Sequence, residues 1–275
     1  MIQDAVHKFV LSSLLENEIE LPWNFSFRGS SIPICPRQLM LGKFHKKTSK
    51  KISFSSRYSF HMRQAINALA QEFWADRLWG DWRCSDINAC GVKYKNTRLP
   101  NGKCIRCGSH AFYEKIVTDE TTGFSGHCDA IVYSDELDGY LVFEIRTRNS
   151  NVISKALEPY PSEIYQVSTF ATLLQRQHWL RIAGRAILWV GNSVASKSFK
   201  LWTYSGTGED LADQQFKLKL DIDQKIKEGR IFDVEGRCNS PEDTNGCPFA
   251  GICLSPVKDR LLEADYLGWL LGNSY

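Results

Sequence analysis

Residues 126–147, GHCDAIVYSDELDGYLVFEIRT, constrain the fold more tightly than any other stretch of the chain. The loop SDELDG is turn chemistry, and the flanks CDAIVY and YLVFEI are rich in β-branched and aromatic residues, so the segment predicts a β-hairpin. With Tyr133 facing Tyr140 across the turn, antiparallel pairing carries Asp129 opposite Glu144. The period of two then puts Ala130, Val132, Leu141, Phe143 and Ile145 on one side. Ile131, Tyr133, Tyr140 and Val142 share the other side with both carboxylates. Two anions facing each other across a strand pair repel, and a shared divalent cation resolves the conflict. The other resolutions are acidic ends that emerge into water, or a register shifted by a residue.

A chain of 275 residues, 43% of them hydrophobic, can bury a substantial core, and one domain with insertions is expected. The formal charge of +3 does not by itself demand a nucleic-acid partner. The run KFHKKTSKK, residues 43–51, concentrates six basic side chains in nine positions and reads either as a solvated loop or as a phosphate-facing segment. No apolar run reaches the roughly 20 residues of a membrane span. The start, MIQDAVHKFVLSSLLENEIELPW, carries Asp4 and Glu16 among its apolar positions and lacks a small-residue cleavage site. It reads as an amphipathic helix and not as a signal peptide, so an intracellular, cytoplasmic protein without a membrane partner is expected.

In a reducing compartment the nine cysteines favour metal over disulfides. Cys84, Cys90, Cys104 and Cys107 form one set, in CSDINAC and CIRCG, joined by the polar connection GVKYKNTRLPNGK. Two cysteine pairs on a short loop can place thiolates at the corners of a tetrahedron, as structural zinc requires. His110 is an alternative fourth ligand or a surface histidine. The second set is spread over the chain, with Cys35 in PICPRQLM and Cys238, Cys247 and Cys253 in GRCNSPEDTNGCPFAGICLSP. Cys128, inside the hairpin, reads as a small buried hydrophobe.

An early Cys-Pro-Arg, a late cysteine and then CPFAGIC resemble the iron-sulfur branch of RecB-like nucleases, which includes the fourth CRISPR-associated protein and the AddB nuclease domain. The resemblance implies that Cys35, Cys238, Cys247 and Cys253 hold a [4Fe-4S] cluster joining the two ends of the domain. The eight residues between Cys238 and Cys247 make a longer gap than the family's commonest one. The same family carries the PD-(D/E)XK signature, and Asp129 and Glu144 match its two acidic positions. Its early histidine is matched by His61 in SSRYSFHMRQAINALAQEFW, where Tyr58, His61, Ala65 and Leu69 share a helical face. Its final motif resembles QVSTFATLL, with Gln166 set to touch the attacking water or the substrate backbone. Phe170 stands where the family has tyrosine, which leaves stacking or core packing. Imidazole with carboxylates suits Mn2+ or Mg2+.

Where the family has lysine, EIRTR places Arg146 two residues after Glu144 on the same strand face. Arginine is effectively always charged and cannot take a proton from water, although it can position that water and neutralise developing charge. Lys155 offers an amine from a different backbone position. The resemblance therefore implies an α/β fold, a central mixed sheet flanked by helices in a restriction-endonuclease-like core. Residues 1–81 would form an N-terminal helical part, 82–110 the zinc-binding insertion, 111–256 the core and the late cysteines, and 257–275 a helical tail. Strands are expected near 185–191 and 197–204, and helices near 161–178 and 208–228. The implied function is a metal-dependent DNA exonuclease acting on single-stranded ends or overhangs, with protein partners in recombination, replication or CRISPR adaptation. The other reading is a nucleic-acid-binding or assembly subunit that has lost the reaction with its lysine.

Overall fold

In the computed structural model, the residues described are 20–21, 27–28, 35–44, 50–51, 64–69, 71–191, 199–236, 250–253, 255, 258, 263, 266 and 267. The chain runs through short strands β1 (Glu20–Leu21) and β2 (Phe27–Arg28), helix α1 (Pro36–Phe44) and strand β3 (Lys50–Lys51). Residues 64–69 and 71–73 are helical. Strands β4 (Trp79–Cys84), β5 (Lys93–Arg98) and β6 (Ala111–Glu114) make one antiparallel sheet in the order β5-β4-β6. Strands β7 (Ile116–Asp119) and β8 (Phe124–His127) pair antiparallel, with β2 parallel to β8. Then come β9 (Ala130–Ser134), β10 (Gly139–Arg148), α2 (Ser150–Lys155), α3 (Pro161–His178), β11 (Ile182–Gly191), β12 (Phe199–Ser205), α4 (Glu209–Lys227) and α5 (Ala250–Cys253).

The expected hairpin is β9–β10. Tyr140 pairs with Tyr133, their rings 5.2 Å apart edge to face, and the register runs on to Phe143 and Ala130. The turn closes through Asp138, which takes a positive φ of 43° and accepts a hydrogen bond from the Tyr133 hydroxyl at 3.0 Å. Gly139 follows because a Cβ there would lie 2.9 Å from the carbonyl oxygen of Arg181, just ahead of β11. β10 also pairs with β11, in parallel, and β12 closes the sheet antiparallel to β11, giving the mixed order β12-β11-β10-β9. The parallel pair needs a crossover, which α3 supplies. That helix starts with Pro161, whose missing N–H costs nothing in a first turn, and ends as Trp179 turns left-handed at φ 56°.

The two faces of the hairpin separate as their alternation predicts. Ile131 and Val142 join the large core with Met40, Val167, Phe170, Leu174, Ile187 and Phe216 beneath α1, α3 and α4. Ala130, Val132, Phe143 and Ile145 pack on Leu78, Trp82 and Leu99 of the three-stranded β4–β6 ribbon. A sheet covered on both faces explains why β10 reads as a nearly continuous apolar run.

Several expectations shift in detail. The strands and helices near 185–191, 197–204, 161–178 and 208–228 form as β11, β12, α3 and α4. β9 begins at Ala130, so Asp129 stands just ahead of the ladder. The ribbon's strands extend beyond 82–110 at both ends, because Trp79 and Trp82 are buried and tie it to the core. Glu20–Leu21, at the end of the stretch read as an amphipathic helix, pairs with Lys50–Lys51 as a strand; the rest of that stretch, and 45–49 of the basic run, lie outside the described residues. The helical face inferred from Ala65 and Leu69 is the outer one, with Leu69 53% exposed, and it is Ile66 that packs on the ribbon-side core.

Candidate functional site

Alternation along β10 sends Glu144, Arg146 and Arg148 to the α3 side of the sheet. Glu144 has no exposed surface, and Arg146 has 9%. Arg146 Nη2 lies 2.5 Å from Glu144 Oε1 and donates to Gln166 Oε1 at 2.6 Å. Gln166, from the second turn of α3, in turn donates its Nε2 to Glu144 Oε2 at 2.8 Å. The three side chains thus close a ring in which each touches the other two. Glu163, one turn earlier and 2% exposed, carries the network outward. It accepts from Arg148, from Trp189 Nε1 at 2.8 Å and from the Tyr160 N–H at 3.2 Å, and Arg146 Nε lies 3.9 Å from it. Arg148 also sits 5.1 Å from the ring centroids of both Tyr160 and Trp189. Two buried carboxylates are therefore matched by two guanidinium groups. Removing one member of such a pair costs about 3–5 kcal/mol because the other is left buried and uncompensated.

Asp129, 8% exposed, sits where the backbone leaves the ladder. Its Oδ2 accepts the Ile145 N–H at 2.8 Å, so the side chain occupies a place that the next rung would fill. Asn67 Nδ2 donates to its Oδ1 at 2.9 Å, and Gln71 Nε2 donates to its carbonyl oxygen at 2.9 Å. The hairpin register, continued by one residue, carries Asp129 to the level of Glu144. Part of the positive charge that the sequence assigned to a divalent ion is supplied here by Arg146. Carboxylate donors suit Mg2+ or Mn2+, and here Glu144 Oε1 is engaged by Arg146.

Among the residues read from the sequence, Glu144, Arg146 and Gln166 meet on the α3 side of β10, and Asp129 bonds the backbone N–H of Ile145 beside them. His61, Cys238 and Cys247 lie outside the described residues. Cys35, just ahead of α1, and Cys253, in α5, are both half-buried, and Cys253 packs against the large core. Lys155 is exposed in the last turn of α2. Phe170 is fully buried, 5.7 Å from the Phe124 ring, which makes it a core residue. Cys128 is 3% exposed, and burial pushes its thiol well above the usual range. Sequence reasoning missed Asn67, Gln71, Arg148 and Glu163. Arg148 was within reach, since EIRTR puts it on the face of Glu144 and Arg146.

The ribbon gathers its four cysteines at one end. The sulfur atoms of Cys84, Cys90, Cys104 and Cys107 all lie within 4.8 Å of one another, the one group of three or more potential ligands found among the described residues. Two of the separations are 3.5 Å, Cys84 to Cys107, and 3.6 Å, Cys90 to Cys104. A tetrahedron with metal–sulfur bonds of about 2.3 Å has edges of about 3.8 Å, so the set could hold a metal ion. Gly108, at φ 76°, turns the chain behind Cys107 and returns its N–H to the Cys104 carbonyl at 2.8 Å. Burial pushes the Cys84 thiol up to about 12. The Tyr94 hydroxyl, 3.2 Å from Cys104, lowers that thiol to about 6, and Ser109 lowers Cys107. His110 is exposed against Phe112 and stands outside the four-sulfur group.

No protein-family model matches the chain, and no curated protein matches it. Among solved structures it is similar to one described as the crystal structure of SSO0001, with a TM-score of 0.44 and 14% identity over 94% of this chain and 99% of that one. It is also similar to an alkaline exonuclease, LHK-Exo, from Laribacter hongkongensis, with a TM-score of 0.43 and 9% identity over 80% of this chain and 99% of that one.

The ribbon geometry predicts about one tetrahedrally bound metal ion per chain. Cys104→Ser should release it and open the ribbon to protease, read by elemental analysis and limited proteolysis. Unchanged metal content in that variant would contradict the assignment.

Proposed function

We propose that the chain is a metal-dependent nuclease that cuts DNA at single-stranded ends or overhangs. The observation that carries this reading is the buried ring of Glu144, Arg146 and Gln166, with buried Asp129 accepting the N–H of Ile145, the residue after Glu144. Asp129 and Glu144 would hold the divalent ion, with His61 as a further ligand. The ion supplies a water of lowered pKa and a counter-charge for the leaving oxyanion. Gln166 orients the water or the substrate backbone through the amide that now meets Glu144. Arg146 offers fixed positive charge to the pentacovalent phosphate but cannot take the water's proton, so the wild-type reaction is slow. The ribbon ion is zinc, held structurally by Cys84, Cys90, Cys104 and Cys107.

Cys35 and Cys253, with Cys238 and Cys247, would hold a [4Fe-4S] cluster, a reading supported by the cysteine pattern and by ordinary thiolate ligation. Protein purified anaerobically should be brown and contain about four irons per chain. Colourless, iron-free protein after expression with ample iron would remove the cluster.

The second reading, a nucleic-acid-binding subunit without catalysis, is favoured by the 2.5 Å contact that seats Arg146 on Glu144, where an ion would sit. End-labelled single- and double-stranded DNA, incubated with Mn2+, Mg2+ or chelator, separates the two. The nuclease reading expects metal-dependent cutting of the single strand that is faster in Mn2+, abolished by Asp129→Ala and raised by Arg146→Lys. A wild type that binds DNA yet, like Arg146→Lys, leaves it intact in every divalent metal would remove the nuclease reading in favour of the second.

A further inference from the structure

Between helical residues Gln64, Asn67, Ala68 and Gln71 and the outer face of the ribbon lies a cleft of about 640 Å3, lined also by Arg83, Lys93, Lys95 and Phe112 and reaching Asp129. The strand register fixes the composition of its ribbon wall. Arg83 stands directly opposite Lys93 on one side and Phe112 on the other, so two cations and an aromatic ring form one cross-strand row. Like charges directly opposite each other in a sheet are destabilising. Phe112 is 58% exposed although the buried ribbon core lies on the sheet's other face.

The acidic groups of the cleft do not relieve this. Asp81 and Glu114 are also cross-strand neighbours, but Asp81 lies 3.7 Å from buried Lys115 and Glu114 lies 3.3 Å from His127. Arg83, Lys93 and Lys95 form no ion pair among the described residues. The wall thus keeps three exposed, unpartnered cations beside an exposed ring, above a floor that ends in a buried carboxylate.

We propose that this ribbon face is the track for single-stranded DNA, with Arg83, Lys93 and Lys95 on successive phosphates and Phe112 stacking a base, delivering the strand to Asp129. Cations that follow a backbone beside an aromatic platform are how sequence-tolerant single-strand sites are built. The cleft falls in the size class of small-ligand pockets, roughly 300–1,000 Å3, which admits a strand a nucleotide or two at a time and not a duplex. The amides of Asn67 and Gln71, held on Asp129, form the opposite wall near the floor. The delivery step rests on the nuclease reading; the binding step does not.

The test is fluorescence anisotropy of a labelled 20-nucleotide oligothymidine with the full metal-loaded chain, in Ca2+ so that cutting does not interfere. Arg83→Glu combined with Lys93→Glu should weaken binding at least 10-fold and lower the slope of log affinity against log salt by about 1.4. Phe112→Ala should weaken it roughly 5- to 100-fold. Lys217→Glu combined with Lys227→Glu, both exposed on α4, makes the same change in net charge as the ribbon double variant, and metal content verifies that each ribbon variant keeps its ion. Binding that is unchanged in the ribbon variants, or reduced equally by the Lys217→Glu, Lys227→Glu double variant, overturns the track. Duplex of the same length bound as tightly, with the same sensitivity, also overturns it. Loss of binding in the ribbon variants of a wild type that never cuts upholds the track and removes the nuclease reading. Ribbon variants that cut and bind as the wild type does remove the track and leave that reading standing.

Discussion

A glutamate with no exposed surface sits in a strand whose two faces are both packed, so its charge has to be balanced by side chains that the fold brings to it. Glu144 draws Arg146 from its own strand and Gln166 from the crossover helix, and Glu163 does the same for Arg148. The position of α3 over β10 and β11 is therefore fixed twice, by apolar contacts of Val167, Phe170 and Leu174 and by this polar ring. Buried networks of this kind gain strength from low dielectric only while every member is satisfied. That is a demanding arrangement for a purely structural purpose, since apolar groups of similar volume would pack at lower cost.

The arginine gives the site its character. A lysine at that place could lose its proton, whereas Arg146 stays charged, and its planar fork engages Glu144 and Gln166 together. In the proposed nuclease a divalent ion and Arg146 would compete for one carboxylate, with Asp129, held by Asn67 and the Ile145 N–H, as the ion's second ligand. The four-cysteine ribbon belongs to the same assembly. Its apolar face packs on the reverse side of the hairpin, and its basic face borders the cleft that leads to Asp129.

Much of this was legible in the sequence where the causes are local. Turn chemistry located the hairpin, and of the registers the sequence left open the structure has the Tyr133–Tyr140 one, with the sidedness of β9 and β10 that alternation then gives. Cysteine spacing brought out the four-sulfur group. What escaped depends on distant elements. Glu163 looks like an ordinary first-turn carboxylate until Trp189 and Arg148 arrive from two strands. Asn67 and Gln71 look like surface amides on a helix whose apolar pattern points the wrong way, since Leu69 faces out. Asp129 was read inside the strand because nothing in CDAIVY marks where the ladder stops. The contact between Arg146 and Glu144 was accessible, as side chains two apart on a strand share a face.

The competition at Glu144 is the central claim, and Mn2+ affinity measures it most directly. Electron paramagnetic resonance of free Mn2+ would follow titration of the wild type, of Arg146→Met, and of Arg146→Met combined with Asp129→Asn, each verified as folded by its melting curve. Removing the guanidinium should tighten Mn2+ binding at least 10-fold, about 1.4 kcal/mol or more, and the second substitution should abolish the gain. Arg146→Met that binds Mn2+ no more tightly than the wild type, while remaining folded, would contradict the account.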